Sequence, residues 1–174
     1  MRAPTNYAGP RKEDDKPTDV SQSAASNLPG GTSTVQNVID GKGNAIFSVQ
    51  IDDDLRKAVD LLKEHRIGAL LVLDANGELA GILSERDIVR KLAEMPDQVL
   101  GVKVQTLMTT KVKSCTPDEP LLSVLNVMTQ NRFRHMPVLK NGHILGVVTI
   151  GDVVHYRLME LEHQAVQMQS MIVG

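Results

Sequence analysis

Apolar and polar positions along the chain follow two spacings, and the same order of spacings occurs twice. Leu55, Ala58, Val59 and Leu62 recur at helical intervals, which predicts an amphipathic helix with one apolar face. An apolar run over 69–73, the turn DANG and a second run over 79–83 follow. Short runs of this kind bounded by turn residues predict a strand pair, with Gly77 as the permissive turn residue. The order then returns. Leu121, Val124, Leu125 and Met128 hold helical spacing, and runs over 136–139 and 144–148 flank KNG with Gly142. A short strand is expected before each helix, over 46–49 and 112–115. The polar helix starts fall at 52–54 and 117–119.

The two copies align residue by residue. LRKAVDLLKEHRIGALLVLDANGELAGILSERDIVRKL matches LLSVLNVMTQNRFRHMPVLKNGHILGVVTIGDVVHYRL. Leu55 falls on Leu121, Leu62 on Met128, Arg66 on Arg132 and Val72 on Val138. After one deletion in the second turn, Gly81 falls on Gly146 and Asp87 on Asp152. Upstream, VQNVI resembles VQTLM and IFSVQIDD resembles VKSCTPDE. Repetition at this length marks a duplicated structural unit. Each unit reads β-α-β-β-α, so the fold class is α+β, sandwich-like, with pseudo-twofold symmetry between the copies. Neither copy has enough two-sided core to stand alone, and two stacked copies would bury their sheet faces. The expected organisation is a disordered tail over 1–33, rich in Pro, Gly, Ser and charge. A first repeat over 34–99, a second over 100–160 and a C-terminal helix extension over 161–174 follow. In that extension Leu158, Leu161, Ala165, Met168 and Ile172 form a stripe. It suits packing on a partner or back on the chain's own domain.

Bulk properties narrow the function. The 174 residues carry a formal net charge of -2, which argues against nucleic acid or an anionic membrane as the main partner. No apolar run is long enough to span a bilayer. The N-terminal stretch lacks the apolar core of a secretory signal and carries Glu13, Asp14 and Asp15, unlike a transit peptide. A single Cys excludes an internal disulfide and suits a reducing compartment, so a cytoplasmic location is expected. Aromatic residues make up 2% and Trp is absent, so base-stacking platforms are not expected. Cys115 reads as a small core hydrophobe. The five His show no metal-ligand spacing. There is no Walker-type loop, and no catalytic constellation is legible, so an enzyme is not expected.

The chemistry concentrates where each copy's last strand turns into its last helix. Both turns carry a hydroxyl three residues before an Asp: Ser84 with Asp87, and Thr149 with Asp152. Such residues cap helices, because their oxygens accept bonds from the orphan N–H groups of the first turn. The same turn suits a phosphate at the helix N-terminus, with the carboxylate free for a ribose diol. Capping and ligand binding are both open for one copy. Two copies facing each other favour the ligand.

The repeat with its G-h-h-[ST]-x-x-D ending, as in GVVTIGDVV after RFRHMPV and GILSERDIV after IGALLVL, resembles the cystathionine β-synthase (CBS) domain. Two in tandem resemble a CBS pair, or Bateman module, of the small stand-alone kind. The resemblance implies adenosine-nucleotide binding in clefts between the repeats, with AMP, ADP, ATP or NAD as ligands and no catalytic cofactor. Asp87 and Asp152 would hold ribose hydroxyls, with Ser84 and Thr149 by the phosphate. Asp152 would close a cleft lined by Ile67, Gly68 and Ala69, with Asn44 and Ala45 nearby. Asp87 would face Phe133, Arg134 and His135, with Lys111 and Val112 beside them.

The clefts are expected to differ. Arg86, Lys111, Arg134 and His135 gather at Asp87, whereas the Asp152 side has Gly151 and Gly68 in the places of Arg86 and Arg134. The Asp152 cleft is therefore expected to be roomier and less basic, and the two to differ in occupancy, with AMP at one and a larger dinucleotide at the other. His135 fits either a phosphate contact or a partly buried strand position. Arg66 and Arg132 suit helix C-termini. Family members commonly form disc-like dimers with helices at the interface. The implied function is a regulatory, energy-sensing module that binds adenosine nucleotide and signals to a separate partner protein. The alternative is a structural dimerisation module with vestigial clefts. A third class, slow nucleotide hydrolysis, finds no base or metal constellation in the sequence.

Overall fold

A computed structural model describes residues 33–43, 45–96 and 98–173, and the side chains up to 171. The tail expected over 1–33 lies, apart from Ser33, outside the described residues. The elements run α1 (Val35–Lys42), β1 (Ser48–Gln50), α2 (Leu55–His65), β2 (Ala69–Leu73), β3 (Leu79–Ser84) and α3 (Glu85–Glu94). Two 3-10 turns, Val99–Gly101 and Val104–Thr106, lead to α4 (Leu121–Asn131), β4 (His135–Lys140), β5 (His143–Thr149) and α5 (Ile150–Val173).

The copies are built by the same local rules. In α2 the buried residues are Leu55, Ala58 and Leu62, and in α4 they are Leu121, Val124 and Met128. Both helices end on an arginine in the left-handed region, Arg66 at φ 53° and Arg132 at φ 58°. At each end the arginine N–H bonds back to the last turn, to Leu62 O and to Met128 O. This places the next residue, Ile67 or Phe133, at the mouth of a strand. β2 pairs parallel with β1 and antiparallel with β3, with Ala69 opposite Ser84 and Val72 opposite Gly81. β4 pairs with β5 in the same register, His135 opposite Thr149 and Val138 opposite Gly146. Each hairpin bulges at the same step, after Val72 and after Val138. Gly77 and Gly142 both take φ 81° in the turns, a conformation that favours glycine.

Three expectations shift. The first strand sits at Ser48–Gln50 rather than 46–49. The strand expected over 112–115 is reduced to an isolated bridge, in which Cys115 N donates to Pro137 O at 3.0 Å and Leu139 N donates to Cys115 O at 2.8 Å. Pro137 stands where the first repeat has Leu71, whose N–H donates to Phe47 O at 3.1 Å, and without an N–H it cannot make the matching ladder bond. VQNVI forms the helix α1, whereas its repeat mate VQTLM forms only a 3-10 turn. Cys115 is buried, and burial together with the nearby Glu119 carboxylate pushes its thiol up to about 12. It behaves as a core hydrophobe.

The two cores exchange their leading segments. α1 contributes Val35, Val38 and Ile39 to the cluster that contains Leu121, Met128, Val138 and Val148. The segment after the first repeat contributes Val99 and Val104 to the cluster of Leu55, Leu62, Val72 and Leu83. The backbone bonds mirror this exchange. Val35 N donates to Glu119 O at 3.0 Å, and Val104 N donates to Asp53 O at 2.9 Å. Gln36 N donates to Pro117 O at 2.8 Å, and Gln105 N donates to Ile51 O at 3.2 Å. Each core is therefore completed by chain from the other side of the repeat junction, so the two halves are held as one body. Among the described residues no helix is long and apolar enough to cross a membrane, and no group of His, Cys, Asp and Glu could hold a metal ion.

Candidate functional site

The strand-to-helix turns lie side by side at the junction of the repeats. Glu85 N donates to Gly68 O at 3.0 Å, and Ile150 N donates to Arg134 O at 3.1 Å, the matching bond in the second copy. These bonds tie the first helical turn to the start of the neighbouring strand.

On the Asp87 side a cavity of about 230 Å³ opens between the repeats. All eight residues expected at the Asp87 cleft line it: Ser84, Arg86, Asp87, Lys111, Val112, Phe133, Arg134 and His135. Sequence reasoning missed Arg90, Lys113 and Arg132, which also line it. Arg90 stands four residues after Arg86 on the same helix face, and that spacing was a usable signal. Lys113 and Arg132 gave none, because a loop position and a helix C-cap carry no period. The wall thus holds six cationic side chains (Arg86, Arg90, Lys111, Lys113, Arg132, Arg134) against the carboxylates of Glu85 and Asp87. That balance suits an anion. Ile82, Val112 and Phe133 supply apolar wall for a flat ring.

Asp87 works as a cap and still has an oxygen to spare. Its Oδ2 accepts from Ser84 N at 3.0 Å and from Ser84 Oγ at 2.5 Å, closing a capping box. Its Oδ1 has no protein partner among the described residues. Arg86 Nη1 donates to Arg132 O at 3.3 Å, so this guanidinium reaches across the cleft to the other repeat.

The Asp152 side is arranged differently. Thr149 N donates to Asp152 Oδ2 at 2.8 Å, and Asp152 N donates to Thr149 Oγ1 at 3.0 Å. Lys42 Nζ donates to the same Asp152 Oδ2 at 2.5 Å. Burial pulls the Asp152 carboxyl upward, yet the Lys42 bond and the Thr149 N–H outweigh it and hold the group below its ordinary value. The expectation of a roomier Asp152 cleft is corrected here, because it rested on the space that Gly68 leaves. An added Cβ on Gly68 would meet the His135 ring at 3.2 Å, so the space that glycine leaves is already filled. Gly68 lines the Asp87 cavity rather than a pocket at Asp152. Of the other residues expected beside Asp152, Ile67 packs against the first core and Ala69 is half-buried in β2. Ala45 and Gly151 are exposed, and Asn44 lies outside the described residues.

His135 stands between the two sites. It lines the Asp87 cavity and touches the open side of Gly68. Burial lowers its pKa, against the opposing pull of Glu85 and Asp152 and with the help of Lys42 and Arg134. The net effect favours the neutral ring, which offers a hydrogen bond rather than a charge.

A duplicated α+β half-domain with a cationic cleft between its copies defines a class of paired-repeat modules. The chain belongs to the CBS domain family, whose model matches residues 44–94 and 104–158. It is 32% identical over 151 residues to the mitochondrial CBS domain-containing protein CBSX3 of Arabidopsis thaliana, covering 82% of this chain and 73% of that one. Among solved structures it matches a CBS-domain containing protein from Agrobacterium tumefaciens at 36% identity and a TM-score of 0.71, covering 75% of this chain and 97% of the other. A signal-transduction protein with CBS domains from Burkholderia ambifaria, described as putative, matches at 35% identity and a TM-score of 0.70, over 73% of this chain and 95% of that one. A more distant CBS pair, 21% identical with a TM-score of 0.65, covers 75% of this chain and 99% of its own, and was solved in complex with 5′-methylthioadenosine and S-adenosyl-L-methionine. CBS pairs are regulatory modules, and this chain is one.

Proposed function

We propose that the chain senses an adenosine nucleotide in the Asp87 cleft and passes the signal to a separate partner protein. The observation that carries this reading is the junction cavity itself. Six cationic side chains line it together with Asp87, whose Oδ1 has no hydrogen-bond partner among the described residues. A ribose diol would donate to Asp87 Oδ1. The phosphate would lie at the N-terminus of α3 beside Ser84, within reach of Arg86, Lys111 and Arg134. Phe133 and Val112 would flank the base. The adenosine part shared by the ligands of the distant CBS pair supports the base and sugar in this role. At about 230 Å³ the cleft lies just below the ~300–1,000 Å³ of typical small-molecule sites, which favours AMP over NAD here.

The proposed mechanism is a population shift. Lining residues come from both repeats, so a bound nucleotide stabilises the arrangement in which α3 and the Arg132–His135 segment are closest. The module acts by binding and not by catalysis. A homodimer through the helices is part of the proposal, supported by exposed Leu158, Met159, Leu161 and Val166 along α5. The regulated partner, the cytoplasmic location and the division into a tail over 1–33, repeats over 34–99 and 100–160, and an extension over 161–174 stand on the same footing.

The test is a thermal-shift titration with AMP, ATP and NAD. AMP at about 100 times its dissociation constant adds about 2.7 kcal/mol to the folded state. The rise in Tm is expected in the wild type and lost in Asp87→Ala. A wild type whose Tm none of the three nucleotides moves would instead support the structural dimerisation reading.

A further inference from the structure

The repeat equivalence extends to a lysine that the motif alignment leaves out. Val35 and Val104 make matching backbone bonds, and so do Gln36 and Gln105. Three residues on, Ile39 Cδ1 closes over Gly146 and Met108 over Gly81, with gaps to an added Cβ of 3.1 Å and 2.9 Å. Counting forward from either pair brings Lys42 onto Lys111. Each junction site therefore owns the same three groups: a hydroxyl, a carboxylate in the first helical turn, and a lysine from the exchanged leading segment.

The two lysines are in different states. Lys111 lines the open cavity and forms no ion pair among the described residues. Lys42 is bonded to Asp152 Oδ2. The caps do not account for the difference, because in both copies the hydroxyl accepts from the Asp backbone N–H and the carboxylate Oδ2 accepts from the backbone N–H of the hydroxyl residue. What differs is the delivery of the lysine: Lys42 ends α1, which is anchored by buried Val35, Val38 and Ile39, whereas the segment before Lys111 forms only a 3-10 turn.

We propose that Lys42 is a built-in occupant of the second nucleotide site. Its ammonium sits on the cap oxygen Oδ2 and neutralises the carboxylate whose Oδ1 a ribose diol would use, so the Asp87 cleft fills alone and the Asp152 site binds only when Lys42 leaves. This rests on the reading of Asp87 and Asp152 as diol acceptors given above. A neutral diol competes poorly with an ammonium for a carboxylate. A ligand phosphate, however, offers Lys42 another partner. Ligands richer in phosphate charge therefore displace Lys42 more readily, in the order ATP, AMP, adenosine.

Isothermal titration of the full chain with AMP, and with adenosine as a probe without phosphate, tests this. The wild type is expected to take one equivalent of AMP, lost in Asp87→Ala and kept in Asp152→Ala. Lys42→Ala and the length-preserving Lys42→Met are each expected to take a second equivalent of both probes, absent when Asp152→Ala is added. Two equivalents at comparable affinity in the wild type, or no Asp152-dependent uptake in either Lys42 variant, overturns the proposal. If the wild type takes no nucleotide in the Asp87 cleft, the reading of that cleft fails separately. An Asp152-dependent equivalent appearing only in the Lys42 variants would still uphold the role of Lys42.

Discussion

At the scale of single residues, the same motif letter does different work in the two copies. Asp87 and Asp152 both cap a helix, but among the described residues Asp152 also holds a lysine and Asp87 does not. The lowered carboxyl of Asp152 makes its contribution pH-dependent. Its folded pKa lies below the ordinary 3.8, so the stabilisation is present above that value and fades as pH falls through the folded value. Urea unfolding should therefore show Lys42→Ala less stable than the wild type at pH 7, and the gap should close as the pH is taken below the carboxylate range. A gap that is unchanged in acid would show that Lys42 acts through packing alone. The glycines under the hairpins separate in the same way. A methyl on Gly81 meets Met108 Sδ at 2.9 Å and the Thr109 backbone oxygen at 3.0 Å, whereas one on Gly146 meets only the tip of Ile39. Gly81→Ala should cost about 1–3 kcal/mol and Gly146→Ala clearly less, read from denaturant midpoints.

At the scale of elements, hydrophobic spacing located both central helices and all four hairpin strands, because burial of one face writes a period into the sequence. Leu55, Ala58 and Leu62 are such a face. The short flanking segments carry no such record. VQNVI and VQTLM look alike, yet one forms α1 and the other a single 3-10 turn. The first is completed by a capping box, in which Thr34 N donates to Asn37 Oδ1 at 2.8 Å, and Thr106 replaces that asparagine in the second. Because α1 fills the second core, Ile39→Ala should destabilise that half by about 2–5 kcal/mol although it lies ahead of β1 in the chain. Hydrogen exchange should then rise first in β4 and β5. A rise confined to β2 and β3 would contradict the exchanged packing.

For the whole molecule, the long α5 leaves apolar side chains without a described neighbour. Val166 is 64% exposed and Met171 is 79% exposed. Such a row on a helix fits a second copy of the chain better than water. Sedimentation should find a dimer in the wild type, and Leu158→Glu with Leu161→Glu should yield a monomer whose thermal response to AMP persists. A wild-type monomer would confine α5 to some other contact.

The sequence by itself determined the duplication, the α+β order, the hairpin turns and the two hydroxyl-and-Asp elements, because each is set by residues within a few positions of one another. It also indicated that Arg86, Lys111, Arg134 and His135 share a region, through the repeat and the family likeness. Only the tertiary structure decided which core each leading segment completes, and which of two near-identical carboxylates stays open. Lys42 and Asp152 are 110 residues apart, and nothing in the local pattern of either marks the other. Their meeting follows from the exchange of α1 onto the second repeat, a packing preference that one strand of letters does not encode.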